Sequence, residues 1–259
     1  MTFSSDILDL MDLLSRRRIL AQTGTAIASS LALGASVDHP ADPHKRILIT
    51  GGHPGDPEAA CGGVAARYAQ LGHAVTCLYL TRGQAGVQGK SREQAAAIRT
   101  AEAEAACRIL KATPVFAEQM DGATEVTPAR YAEFSKLVAT ANPDVIFTHW
   151  PIDHHRDHRA CALLTLDAWI ALPQKVPLYF YEVDLGSDTQ SFHPSHYVDV
   201  TAVEPLKRDA CMAHASQNPA GFYLKDHVPM LRFRGMEKGC EFAEAFVHHD
   251  PSPEGGLPG

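Results

Sequence analysis

The chain has 259 residues, 45% hydrophobic and 20% charged, with 23 Lys and Arg against 30 Asp and Glu. That composition suits one α/β domain with a sizeable core, or two small ones, and excludes a fibrous or disordered chain. The net charge of −7 argues against a nucleic-acid groove, which needs a basic face.

In chain order, Ser15-Arg16-Arg17-Arg18 leads into a run without charge from Ile19 to Val37. Arginines ahead of a mildly apolar run look like a Tat-type export signal over residues 1–37, placing the mature protein in the periplasm or outside the cell. Gln22, Thr23, Ser29 and Ser30 make the run too polar for a permanent span. No internal stretch is apolar enough to cross a membrane.

From Lys45 the chain alternates. Arg46–Thr50 reads as a buried strand, Ala59–Leu71 as a helix stopped by Gly72, and Ala74–Thr81 as the next strand. Arg92–Leu110 has helical spacing, Pro114–Phe116 is a short strand, and Pro128 opens a helix to about Thr140. Asp144–Thr148 is a strand, Asp157–Ala171 a helix, Pro177–Glu182 and His196–Val200 strands, and Ala202–Ser216 a helix. This order predicts a Rossmann-like three-layer α/β fold with a mostly parallel sheet, spanning residues 44–250 as one domain, with 251–259 a loose Pro- and Gly-rich tail. The six cysteines form no CxxC pair and read as buried thiols rather than a disulfide framework.

Two clusters fall at C-terminal strand ends, where open parallel sheets bind ligands. His53 and Asp56, in the turn Gly51-Gly52-His53-Pro54-Gly55-Asp56-Pro57-Glu58, can aim at one point as half of a divalent-metal site. The second, His149-Trp150-Pro151-Ile152-Asp153-His154-His155-Arg156-Asp157-His158, holds four histidines in ten residues. His155 and His158 are neighbours on one helical turn, while His149 and His154 read as supporting or loop residues. Two His and one Asp around an open position are the layout of a catalytic zinc, and neither cluster contains the cysteines usual in a structural one.

At these motifs the sequence resembles the PIG-L/LmbE-like deacetylases. The family's His-Pro-Asp-Asp-x-Glu stands here as His53-Pro54-Gly55-Asp56-Pro57-Glu58, with Gly62-Gly63 behind it, and its His-x-Asp-His as His155-Arg156-Asp157-His158. Arg99-Thr100-Ala101-Glu102 resembles its Arg-x-x-Glu, Asp121-Gly122 its Asp-Gly loop, and His214-Ala215-Ser216-Gln217 its His-x-Ser-Gln. The resemblance implies Zn2+, with Fe2+ the other candidate, bound by His53, Asp56 and His158. It makes His155 the group that protonates the leaving amine or stabilises the tetrahedral intermediate, and puts Arg99, Asp121 and His214 near the substrate. The implied activity is hydrolysis of an acetyl or similar acyl group from an amino sugar or related small amide by metal-activated water. Family members often assemble; nothing in this chain decides its oligomeric state.

The chain departs from the family at Gly55, where an aspartate normally serves as general base, a role typically worth about 10²–10⁴-fold in rate. Glu58, Asp153 and Asp157 are the neighbouring carboxylates that could replace it, or could instead orient ligand histidines or cap a helix. The alternative is a weakened or inactive metal- or carbohydrate-binding protein on the same fold. Export favours a small envelope sugar or extracellular amide as substrate over an intracellular one.

Overall fold

The computed structural model describes residues 44–183 and 188–259; the export signal expected at 1–37 lies outside the described residues. Strand β1 (Arg46–Gly51) is followed by α1 (Asp56–Gln70), β2 (Ala74–Thr81), α2 (Arg92–Leu110), β3 (Ala112–Gln119), α3 (Pro128–Ala141) and β4 (Val145–His149). Then come α4 (Arg156–Ala171), β5 (Leu178–Tyr181), β6 (His196–Asp199), α5 (Glu204–Met212), the four-residue α6 (Pro219–Phe222), α7 (Val228–Lys238) and β7 (Ala243–His248). Short 3-10 turns (Thr201–Val203 and Ala215–Gln217) flank α5, and a π-turn (Tyr223–His227) precedes α7.

The seven strands form one sheet in the order β3-β2-β1-β4-β5-β7-β6. β1 to β5 pair in parallel, while β7 runs antiparallel to both β5 and β6. Helices α1, α2 and α5 cover one face and α3 and α4 the other, each over its own apolar core. Coverage on both faces explains why Ile47, Leu48, Ile49, Val145, Ile146 and Phe147 form unbroken buried runs rather than alternating. All five cysteines on these core elements are buried, and no disulfide is formed among the described residues.

Direction reverses between β1 and β4: from β1 the chain crosses to β2, from β4 to β5 on the other side. Their carboxyl ends therefore open a crevice at the switch point. Local chemistry starts the helices there and nearby. Ser91 and Thr127 cap α2 and α3, accepting the amides of Gln94 (3.2 Å) and Arg130 (3.4 Å).

Two expectations need correction, and one stretch was not anticipated. The single helix at Ala202–Ser216 ends at Met212, because the Ser216 amide bonds to Glu102 Oε1 at 2.6 Å instead of continuing the ladder. Residues 228–248, which carried no expectation, form α7 and β7. Their pattern is hidden by Glu244, an inward acid whose carboxylate accepts the Gly63 and Val64 amides (2.7 and 2.8 Å) and pairs with buried Lys207 at 2.6 Å. Gly63 permits this approach, since a Cβ there would lie 2.6 Å from Val200. The tail, expected to be loose, packs on the sheet: Ser252 Oγ accepts the Leu178 amide (3.1 Å), and the Tyr179 hydroxyl donates to Gly255 O (2.8 Å).

Candidate functional site

The two histidine clusters meet at the crevice. Gly55 turns the first loop with φ 110°, a conformation that favours glycine, and Asp56 begins α1 with Oδ2 accepting the His53 amide at 2.8 Å. Across the crevice β4 ends at His149, and His155 caps α4, its Nδ1 accepting the Asp157 amide at 3.3 Å.

Asp56 Oδ2 is the focus. His53 Nδ1 lies 3.3 Å from it and His158 Nε2 3.4 Å. Each ring is held at its other nitrogen: His53 Nε2 lies 3.1 Å from Asp157 Oδ2 and 3.3 Å from Asp121 Oδ1, and His158 Nδ1 lies 3.1 Å from Asp153 Oδ1. A carboxylate behind each imidazole orients the ring, so that once its second proton is displaced the nitrogen facing Asp56 is the free donor atom. Donor separations of this size match the edge of a tetrahedral zinc shell, about 3.4 Å for bonds of about 2.1 Å.

Three overlapping sets have donor atoms mutually within 4.8 Å: His53 with His155 and His158, Asp56 with His149 and His158, and His53 with Asp121 and Asp157. The expected ligands His53, Asp56 and His158 straddle the first two. His149, whose Nε2 is 3.2 Å from Asp56, already accepts the Gly52 amide at 3.0 Å and stacks on His158, so it is a support for the site.

The electrostatics follow from these contacts. Burial would depress the His53 pKa, but Asp56, Asp121 and Asp157 outweigh it and hold the pKa well above the usual imidazole value. Burial opposes ionisation of Asp56, yet the facing histidines bring its pKa well below the carboxylate range. His149, fully buried and beside His158, drops to about 4 and is neutral. Since its Nε2 accepts a hydrogen bond, its proton sits on Nδ1, which has no hydrogen-bond partner among the described residues. Burial, with His53 and His158 close by, also lowers His155.

The carboxylates considered for the missing base are occupied elsewhere. Glu58 lies behind the loop, accepting from Tyr79 Oη (2.6 Å) and the Gly55 amide (3.1 Å). Asp157 accepts from Thr124 Oγ1 and the Gly122 amide, both at 2.7 Å, besides facing His53. Asp153 accepts the His155 amide at 2.7 Å as well as facing His158. None of the three lines the cavity above Asp56. Glu58 and Asp157, expected as catalytic carboxylates, thus lie outside the cavity lining, Glu58 bonded to the Gly55 turn and Asp157 facing His53.

That cavity has two adjoining hollows of about 290 and 310 Å³, sharing Pro54, Asp56, Arg99, His155 and Gln217. The first has a largely apolar wall of Val183, Cys211, Pro219 and Phe222. Asp121 borders the second but is tied to His53 and to the Ala85 amide at 2.8 Å. His214 borders the first, its Nε2 3.4 Å from Glu58 and its Nδ1 3.4 Å from Arg99 Nη1. Arg99 itself is 4% exposed and bonds to Glu102, to Pro54 O and toward His214.

Sequence reasoning missed Asp188, which with Asp56 supplies the carboxylates lining the first hollow among the described residues, and Phe222, which lines the same hollow. Neither lies in a motif; no local signal pointed to them.

Residues 48–169 match the family PIG-L, described as GlcNAc-PI de-N-acetylase. The chain is 28% identical over 184 residues to a Bacillus anthracis protein named probable N-acetyl-alpha-D-glucosaminyl L-malate deacetylase 2, covering 67% of this chain and 81% of that one. The structure of N,N'-diacetylchitobiose deacetylase from Pyrococcus horikoshii superposes with TM-score 0.71 at 22% identity, covering 83% of this chain and 87% of the other. That of GalB, the 4-carboxy-2-hydroxymuconate hydratase from Pseudomonas putida, gives 0.71 at 21%, covering 82% and 99%. At these identities the two structural likenesses are likenesses of fold.

Proposed function

We propose, on the premise that the chain belongs to the PIG-L/LmbE-like deacetylase family, that it is a metal-dependent hydrolase removing an acetyl or similar small acyl group from an amino sugar or related small amide. The observation that carries this reading is the pair of carboxylate-backed imidazoles, His53 and His158, turned toward one oxygen of Asp56 beneath a cavity.

A divalent ion, zinc or iron(II), would be held by His53, Asp56 and His158 and would supply polarisation of the acyl carbonyl and acidification of water. The chain's own groups supply the rest. His155 accepts the Asp157 amide at Nδ1, so its neutral ring carries the proton on Nε2, an N–H that can hydrogen-bond the acyl oxygen as negative charge develops there. Asp188, a carboxylate on the wall of the first hollow, is assigned the proton of the attacking water and its return to the departing amine. The apolar wall around Phe222 sheds water from the reacting amide.

Hollows of this size suit a small glycoside rather than a long polysaccharide. The name of the Bacillus anthracis relative supports an N-acetylglucosamine-type amide. The arginine run at Arg16–Arg18 supports a substrate outside the cytoplasm.

The test is acetate release from a panel of small N-acetylglucosaminides by the zinc-loaded protein, beside a chelated control. Chelator-sensitive release is expected. Protein with stoichiometric metal that releases nothing from any amide would overturn the reading.

A further inference from the structure

Arg99 and Glu102 form an ion pair of 2.8 Å on one turn of α2, and each reaches beyond the other. Arg99 Nη2 donates to Pro54 O, in the loop between His53 and Asp56, and Nη1 lies 3.4 Å from His214 Nδ1. Glu102 Oε1 accepts the Ser216 amide at 2.6 Å, and Oε2 accepts the Ser216 hydroxyl at 2.9 Å. The stretch from Ala213 to Phe222 is a 3-10 turn, Asn218 at φ 50° and the short α6. With little ladder of its own, such a stretch takes its position from contacts made outside it. It carries His214, Gln217 and Phe222 of the cavity wall.

We propose that Glu102, which does not line the cavity, is the positioning residue of the site: it fixes the His53–Asp56 loop, through Arg99, and the 213–222 wall, through Ser216, to one point on α2. Arg99 is then a clamp on the ligand loop rather than the substrate contact that the family resemblance implies. Loss of the Glu102 charge leaves a buried guanidinium without compensation, able to leave Pro54, while Ser216 loses the acceptor of both its donors. The kinetic consequences rest on the deacetylase reading; the structural coupling does not.

Backbone amide hydrogen exchange on the full chain tests the coupling without any substrate. Glu102→Ala is expected to speed exchange in both 53–58 and 213–222. Ser216→Ala should do so in 213–222 alone. Glu102→Gln, which keeps an acceptor for the Ser216 amide, should act chiefly on 53–58. With zinc-loaded enzyme, Ser216→Ala raises KM with kcat near wild type, whereas Glu102→Ala raises KM and lowers kcat, for a loss in kcat/KM on the order of 10²-fold. The double variant is expected to be no worse than Glu102→Ala. Acceleration in neither segment or in only one of them for Glu102→Ala, or additive losses in the double variant, would overturn the proposal. If the wild type hydrolyses no amide, the exchange data still decide it, so its failure is distinct from failure of the deacetylase reading. Should Glu102→Ala not fold, the contrast between Glu102→Gln and Ser216→Ala gives the same decision.

Discussion

Asp153 grips His158 by the nitrogen that faces away from Asp56: Oδ1 is 3.1 Å from Nδ1, while Nε2 of the same ring lies 3.4 Å from Asp56 Oδ2. Asp153 is itself anchored by the Thr189 hydroxyl at 3.1 Å and by the His155 amide. The ring is therefore held in one orientation before any ion arrives. Asp153→Asn keeps the shape and removes the charge, and should weaken zinc affinity about 10- to 100-fold, as outer-shell changes do. His158→Ala should abolish stoichiometric binding. Competition with a chelator of known affinity measures both, and unchanged affinity in Asp153→Asn would show that the ring needs no such partner.

In the metal-free protein the raised pKa of His53 means that an entering ion displaces a proton. His158 is raised as well, so zinc binding should release protons, and affinity should rise with pH until both rings are neutral. Calorimetry in buffers of different ionisation enthalpy reads the proton count; zero release would refute the assignment. The same groups shape stability. The His53 contribution is fully present below its unfolded value of 6.5 and is lost as pH rises through the higher folded value. The Asp56 and Asp157 contributions are present above 3.8 and are lost as pH falls through their lower folded values. Metal-free protein should therefore melt earlier at alkaline and at strongly acid pH than near pH 5.

Asp188→Asn should lower kcat by about 10²- to 10⁴-fold, with KM and bound metal close to wild type. Activity within a few-fold of wild type would exclude Asp188 as proton acceptor.

Gly55 does not stand in an empty version of the family's base position. A Cβ there would lie 3.4 Å from Arg99 Nη2 and 3.9 Å from the His214 ring, on a backbone with φ 110°. Gly55→Asp should therefore pair with Arg99 rather than with water, and should cost on the order of 1–3 kcal/mol in stability without raising kcat. Melting and steady-state rates check this; a gain in kcat would show that the aspartate reaches the reacting centre.

Lys207 and Glu244 form a buried pair joining α5, β7 and the middle of α1. Lys207→Met leaves the Glu244 charge buried and uncompensated, and should cost about 3–5 kcal/mol. Adding Glu244→Gln should recover part of that loss in denaturant unfolding.

Much of the molecule was legible in order. The strand at Ala74–Thr81 and the helix at Arg92–Leu110 stand as the apolar spacing indicates, because buried parallel strands and amphipathic helices leave strong local patterns. The clusters around His53 and His158 announced a metal site for a similar reason, since metal chemistry needs few residue types in close array. β7 was illegible because Glu244, an acid in mid-strand, faces inward to a lysine on another element. The tail misled because Pro- and Gly-rich sequence says nothing of the tyrosines and the sheet edge that pin it.

The sequence by itself determined the alternation, the sheet edge that carries the site and the chemical types gathered there, because each is encoded within a span of ten or twenty residues. Only the tertiary structure decided which of several similar groups face the cavity. Glu58, Asp153 and Asp157 sit close in sequence to the expected ligands, yet each lies off the cavity wall with its oxygens bonded to a histidine or a turn, while Asp188 lines the cavity from another loop. Whether a carboxylate faces the cavity or lies behind it depends on contacts with elements far apart in the chain, which no local pattern encodes.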